Sequence, residues 1–278
     1  MRCDRVSPGC ANCWHLAMAK RHAGNLSLSP ELRKARGGGP FCLMDKALAE
    51  PLSWRKPRVV GVQLMGDLFH SGVPDEWITE IFDAMCSWRF QTKADERDGD
   101  ESLLVDPGHT YLVLTKRPER IKDWLWWVDQ HWPGDTPFNV CREFGWPKCI
   151  WLGVSVENAD YMPRIATLLQ TPAAVRFVSL EPLLGSVDFS FKCPPEWQPN
   201  LRRDRISWIV TGCESGPHRR PCKLEWVSSI VDQCHAAGVP VWVKQIEVGG
   251  KVVHDAEIIA AELGTTPDEI RQMPEVKR

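Results

Sequence analysis

No apolar run in this chain of 278 residues approaches the ~18 residues that cross a bilayer, so no transmembrane helix is expected. No basic-then-apolar leader of the secretory kind precedes the first motif, which predicts a cytoplasmic protein. An excess of either charge is also lacking. The 34 Lys and Arg residues face 36 Asp and Glu, for a formal net charge of −2. A field drawing the whole molecule to nucleic acid is therefore absent. Basic residues do cluster locally at Arg33, Lys34 and Arg36, at Arg202, Arg203 and Arg205, and at Arg219 and Arg220. The first two groups read as solvated surface and the third as a candidate phosphate site. A disulfide framework is excluded too, because eleven cysteines is an odd number and the expected compartment is reducing.

What is present is uneven. Cys86, Cys141, Cys149, Cys193 and Cys234 are widely spaced in apolar or loop contexts and read as buried thiols acting as small hydrophobes. Fourteen tryptophans are many for this length, and Trp77, Trp88, Trp151, Trp208 and Trp242 fall where core is expected. The remaining feature is "CDRVSPGCANCW", residues 3–14, with Cys3, Cys10 and Cys13 in a C-x6-C-x2-C pattern. A short helix follows it, with Trp14, Ala17 and Met18 on one face and Gly24 at its C-terminal cap. "KARGGGPF" then reads as a flexible loop.

Six short β-rich runs punctuate the chain, at 59–64, 110–114, 150–154, 175–179, 208–211 and 241–244. They are continuous rather than alternating, as parallel strands buried on both faces are. Helical stretches lie between them. One opens at Pro74 with Asp75 and Glu76, and another ends at Gly238. This alternation predicts an α/β fold with a parallel sheet. It is read as a single domain over 1–278, a partial (β/α) barrel of about six strands, with a doubly wound open sheet as the runner-up. Residues 92–109 and 192–205 read as insertion loops. Thr266, Pro267 and Glu269 form a capping box that opens a short terminal helix over 266–273.

Active sites of parallel barrels lie at the C-terminal ends of the strands. Directly after the successive runs stand Asp67 and His70; Thr115, Lys116 and Arg117; Ser155 and Glu157; Glu181; Glu214, Ser215 and His218; and Lys244, Gln245 and Glu247. Strand ends are polar simply because they meet water, and that accounts for any one of these. It accounts less well for an ionisable or amide group in every unit. Three thiolates on this rim fit three irons of a [4Fe–4S] cluster with the fourth iron open. They fit zinc equally, with His15 or Cys42 as a fourth ligand, although a second C-x2-C pair is missing. Spacing alone leaves iron and zinc open. Two other readings compete: a metal-free barrel hydrolase with Glu181 and Glu214 as acid and base, and a zinc-clipped protein that binds nucleic acid or a partner.

In this order, "CDRVSPGCANCW", "MGDLFH", "LTKRPER", "WLGVSVEN", "RFVSLEPLLG" and "GCESG" resemble the phage and prophage three-cysteine-motif family, which is similar to radical S-adenosylmethionine enzymes. The resemblance runs from Cys3 to about Gly250. It implies a radical-S-adenosylmethionine-type partial barrel with a [4Fe–4S] cluster on Cys3, Cys10 and Cys13. The open iron would chelate S-adenosylmethionine, and an electron donor would trigger release of a 5′-deoxyadenosyl radical for hydrogen abstraction or rearrangement. The six-residue first gap departs from the common C-x3-C-x2-C spacing and implies a remodelled loop. Relatives also carry a strand before the first cysteine, whereas only Met1 and Arg2 precede it here. The barrel is thus expected to lack that strand, unless the start lies further upstream.

Charge logic then distributes the rim. Asp67 is assigned to the methionine ammonium, Lys116 or Arg117 to its carboxylate, and Ser155 or Glu157 to the ribose. Glu181 and Glu214 face adenine or substrate. Glu181, Glu214 and His218 are the catalytic candidates, and Arg219, Arg220 and Gln245 face the substrate. Family context suggests a small molecule or nucleotide, or modified DNA in which an amino-acid-bearing thymine is isomerised, in the host cytoplasm if the gene is a phage's.

Overall fold

The computed structural model describes residues 3–37, 39–54, 56–64, 66–95, 108–132, 134–143, 145–189 and 205–275. Six strands run parallel and side by side in chain order: β1 (Val59–Val62), β2 (Thr110–Thr115), β3 (Ile150–Ser155), β4 (Val175–Leu180), β5 (Trp208–Gly212) and β6 (Val241–Val248). The predicted runs match these to within a few residues at each end. A seventh strand, β7 (Lys251–Val253), pairs antiparallel with β6. It was not foreseen. Gly249 and Gly250 both take positive φ in the two-residue turn, the backbone that such a hairpin requires. The sheet curls into a mostly parallel half-barrel.

The helices in chain order are α1 (Trp14–Gly24), α2 (Pro30–Arg36), α3 (Asp45–Ala49), α4 (Asp75–Asp95), α5 (Pro118–His131), α6 (Pro137–Glu143), α7 (Pro163–Leu169), α8 (Leu224–Ala237), α9 (Ala256–Leu263) and α10 (Pro267–Ile270). Local chemistry sets their ends. Pro118, Pro137, Pro163 and Pro267 each stand first in a helix, where the missing N–H costs nothing. Gly238 closes α8 at φ +63° and accepts the left-handed cap, as its position in the sequence predicts. The Thr266–Glu269 capping box forms.

Several expectations need correction. The terminal helix stops at Ile270 rather than 273, because Arg271 leaves it to bridge to Trp242 of β6. Helix α4 runs on to Asp95, four residues into the proposed 92–109 loop. The rest of that loop to 107, most of 192–205, Cys193 and the Trp88 side chain lie outside the described residues. Lys34 to Arg36 are helical, so the loop placed at 34–41 starts later. Gly24 lies within the last turn of α1, and Asn25 is the cap. Trp14 is 53% exposed, while His15 and Ala19 are buried, so α1 presents a different face from the one expected.

The two faces of the sheet bury different things. Val113, Ile150, Leu152, Val154, Val178, Ile209, Val241 and Val243 meet the helices in the main core, around Trp124, Phe82 and Phe138. The inner face carries Trp151, Phe177 and Trp208, with Trp242 packed alongside. Register explains this layer. Trp151 sits beside Val175, Phe177 beside Trp208, and Val210 beside Trp242. Gly153, paired with Phe177, makes room for it: a Cβ there would stand 2.3 Å from the ring's Cζ. Gly153→Ala is therefore expected to push Phe177 off its seat and cost about 1–3 kcal/mol, read as a lowered urea midpoint. An unchanged midpoint would show that the layer can repack.

Candidate active site

Asp67 follows β1 and is 5% exposed. Its Oδ1 accepts from Phe69 N (3.0 Å) and Thr115 Oγ1 (2.7 Å), and its Oδ2 from Lys116 N (3.0 Å) and Arg117 NH1 (2.9 Å). Four protein donors on two oxygens make this carboxylate the fastening between the β1 and β2 ends.

Glu157, two residues past β3, is fully buried. One oxygen accepts from the Ser7 hydroxyl and pairs with Lys116 Nζ, and the other pairs with Arg164 NH1 of α7 at 3.1 Å. Arg164 also donates to the Ser155 carbonyl and lies over the Tyr161 ring. A buried carboxylate persists as an anion only when cations and donors surround it. Here one of the donors, Ser7, belongs to the cysteine loop.

Glu214, past β5, repeats the arrangement on the other side. Arg220 grips it through NH2 to Oε1 (2.5 Å) and through Nε to Oε2 (2.9 Å), and the Arg220 backbone N–H adds 2.8 Å to Oε2. Asn12 Nδ2 donates to the same Oε2 at 3.1 Å and to the His218 carbonyl at 2.6 Å. Arg220 NH1 then reaches the Pro8 carbonyl at 2.9 Å. Burial pushes the Glu214 carboxyl up, but the Arg220 and Asn12 donors outweigh it and hold the group below its ordinary value. A carboxyl held low fits the base of an acid–base pair and not its acid.

A third tether joins His70 Nε2 to Asp4 Oδ2 at 2.8 Å, with Arg117 NH2 against the Asp4 carbonyl. The cysteine loop is thus strapped at Asp4, Ser7, Pro8 and Asn12 to groups that follow β1, β2, β3 and β5. Within the loop, Pro8–Cys10 forms a single 3-10 turn. Gly9 sits directly on Glu157, where a Cβ would come within 2.5 Å of Oε1 and 2.6 Å of Cγ. Glu157 is held from three sides and cannot give way, so Gly9→Ala is expected to lift the loop and cost about 1–3 kcal/mol. Faster limited proteolysis near residues 3–13 reads this out; an unchanged cleavage rate would mean that the loop has slack.

The thiols feel these surroundings. Burial raises Cys3, partly offset by the nearby Arg117 charge. Burial also acts to raise Cys10, but the backbone hydrogen bond from Val6, the Lys116 charge and the Ser7 donors (Oγ at 3.7 Å) prevail and lower it. A lowered thiol is closer to the thiolate that ligates metal. Among the described residues no group of three His, Cys, Asp or Glu side chains is placed to hold a metal ion.

The model of the family described as "Protein of unknown function (DUF5131)" matches residues 1–95 and 101–267. The chain belongs to this family. No curated protein and no solved structure matches it.

In this DUF5131 chain the other named residues divide. Glu181 Oε1 accepts from Lys244 Nζ (2.7 Å) and Gln245 Nε2 (2.9 Å), and Gln245 Nε2 also meets the Cys213 carbonyl (2.7 Å). Among the described residues Gln245 Oε1 is buried without a partner. Glu181 directly follows β4 and is only partly buried, whereas Lys244 and Gln245, expected after the last run, lie within β6, with Gln245 paired to Gly212 at the end of β5. His218 contributes its carbonyl to Asn12. Arg219 NH2 bonds the Gly250 carbonyl in the β6–β7 turn, and Arg220 is turned onto Glu214, so the pair does not form a joint clamp. Reading the sequence missed Ser7, Asn12 and Arg164, whose partners lie far along the chain or on a helix face with no motif. Cys86, Cys141, Cys149 and Cys234 are buried, as expected. No helix among the described residues is long and apolar enough to cross a membrane.

Proposed function

We propose that this protein is a radical S-adenosylmethionine enzyme whose cluster is held by Cys3, Cys10 and Cys13. The observation that carries the reading is the strapping of a three-cysteine loop across the C-terminal rim of a half-barrel, the place where barrel enzymes keep their chemistry. The lowered Cys10 thiol fits a ligand role. When bound, the cluster and S-adenosylmethionine supply a 5′-deoxyadenosyl radical that takes a hydrogen atom.

The chain's own residues have two tasks in this reading. Glu157, Glu214 and Arg220 hold the loop, and Asp67 holds the Arg117 that meets the Asp4 carbonyl; Glu157 keeps Lys116 and Glu214 keeps Arg220 pointed at it. Glu181, Lys244 and Gln245, whose contacts are with one another and with the Cys213 carbonyl rather than with the loop, form the polar face left for cofactor or substrate. The suggestion of a modified DNA base comes from the resemblance to the three-cysteine-motif family alone. Arg220 gives that reading no support, because its guanidinium is engaged by Glu214 and Pro8.

The test is anaerobic reconstitution followed by iron and sulfide analysis and a visible spectrum. A brown protein with about four irons and four sulfides per chain is expected. A colourless protein that retains zinc would replace the proposal with the zinc-clip reading.

A further inference from the structure

The charge of the chain is unevenly divided. Residues 1–58 hold eleven Lys and Arg against four Asp and Glu, whereas the 220 residues that follow hold 23 against 32. The cysteine loop lies in the basic part, and α1 starts directly after Cys13. Gly37, which follows α2, abuts Ala23 of α1: a Cβ on it would stand 2.9 Å from the Ala23 Cα. That contact joins the last turns of the two helices. It gathers Lys20 and Arg21 of α1 and Arg33, Lys34 and Arg36 of α2 at one end of the pair. Cations suit helix C-termini, but each terminus offers only about half a negative charge, so most of this positive charge is left over. Among the described residues none of the five pairs with a carboxylate. Lys20, Arg21 and Lys34 are exposed. Arg21 NH1 meets the Met18 sulfur at 3.9 Å, which sets it on one stripe of α1 with Met18 and Trp14. Trp14 is 53% exposed. Exposed tryptophan and arginine side by side are the residues that protein interfaces favour.

We propose that this α1–α2 face docks an acidic one-electron carrier protein, with Trp14 at the contact and Lys20, Arg21 and Lys34 meeting the carrier's carboxylates. That the partner is a carrier rests on the cluster reading: the carrier loses one electron, the cluster gains it, and no bond is made or broken. Arg21 stands about two helical turns, roughly 12 Å, from Cys13 at 1.5 Å per residue, so a protein seated here adjoins the cysteine loop. The division of charge orients the encounter. The basic part attracts an acidic partner and the acidic remainder turns it away. A nucleic acid longer than the patch would run on against that remainder.

The probe is a plant-type [2Fe–2S] ferredoxin, a small acidic carrier, titrated calorimetrically into the full chain. Saturable binding is expected at low salt and should weaken about tenfold or more at high salt. Arg21→Glu with Lys34→Glu should weaken it about tenfold and Trp14→Ala several-fold, while Lys223→Glu with Lys251→Glu, the same charge change on exposed lysines elsewhere, leaves it unchanged. With reconstituted protein, reduced ferredoxin should bleach the cluster of the parent and not of the Arg21/Lys34 pair. Dithionite, which needs no docking, should bleach both alike. If dithionite bleaches neither, the cluster reading fails and the carrier assignment with it. If dithionite bleaches both and ferredoxin reduces the pair as fast as the parent, the docking face is refuted and the cluster reading stands. No saturable binding of ferredoxin, or tighter binding of a single-stranded DNA oligonucleotide, would overturn the acidic-protein assignment.

Discussion

Glu157→Leu is expected to destabilise the protein by about 3–5 kcal/mol and to unseat the cysteine loop. The carboxylate is fully buried and answers Lys116, Arg164 and Ser7 together. Removing it leaves two cations in a desolvated pocket without their counter-charge, which costs far more than the pair contributes when intact. For a chain of this size each kcal/mol lowers the melting midpoint by roughly 2–4 °C, so a fall of at least about 6 °C should follow. Glu157→Gln keeps the shape and one acceptor and should fall between parent and Leu. A Glu157→Leu midpoint within about 2 °C of the parent would mean that Lys116 and Arg164 find other partners, and that the strap is not where the loop is held.

Cys10→Ala is expected to remove essentially all iron from the reconstituted protein while leaving the fold intact. Cys10 ends the 3-10 turn that Gly9 seats on Glu157, and its sulfur lies within reach of Ser7 and the Lys116 charge. In the proposed site, losing one of three cluster ligands leaves two, too few to hold a cubane with an open iron. Cys234→Ala is the control. That thiol is fully buried in the core, and burial pushes it up to about 12, so it stays protonated and does not ligate metal. Iron content should follow Cys10 and ignore Cys234. Parent-like iron in Cys10→Ala would move the ligand set elsewhere.

The sheet was largely legible because each parallel strand is a short β-branched or aromatic run followed by a polar end. The β6–β7 hairpin was not, since two glycines after a strand look like any loop until both take positive φ. Short polar helices such as α2 and α3 lack an apolar period long enough to read. Most of the rim was legible: Asp67, Lys116, Arg117, Glu157, Glu181 and Glu214 follow strand ends, whereas Gln245, expected after the last run, lies within β6. Their partners were not. Ser7 meets Glu157 across 150 residues and Pro8 meets Arg220 across 212, pairings that no local pattern encodes. Charge logic therefore aimed Asp67, Glu157 and Arg220 at a ligand, whereas the fold turns them onto one another and onto the cysteine loop. Trp14 shows the same limit in miniature. The face it shares with Ala17 and Met18 gives no sign that the indole stands in solvent.

The most direct measurement mixes the anaerobically reconstituted protein with S-adenosylmethionine and a strong one-electron reductant, then quantifies 5′-deoxyadenosine and methionine. The account predicts both products in equal amounts, dependent on reductant and absent with Cys10→Ala. A fully loaded cluster that leaves S-adenosylmethionine intact under these conditions would contradict it.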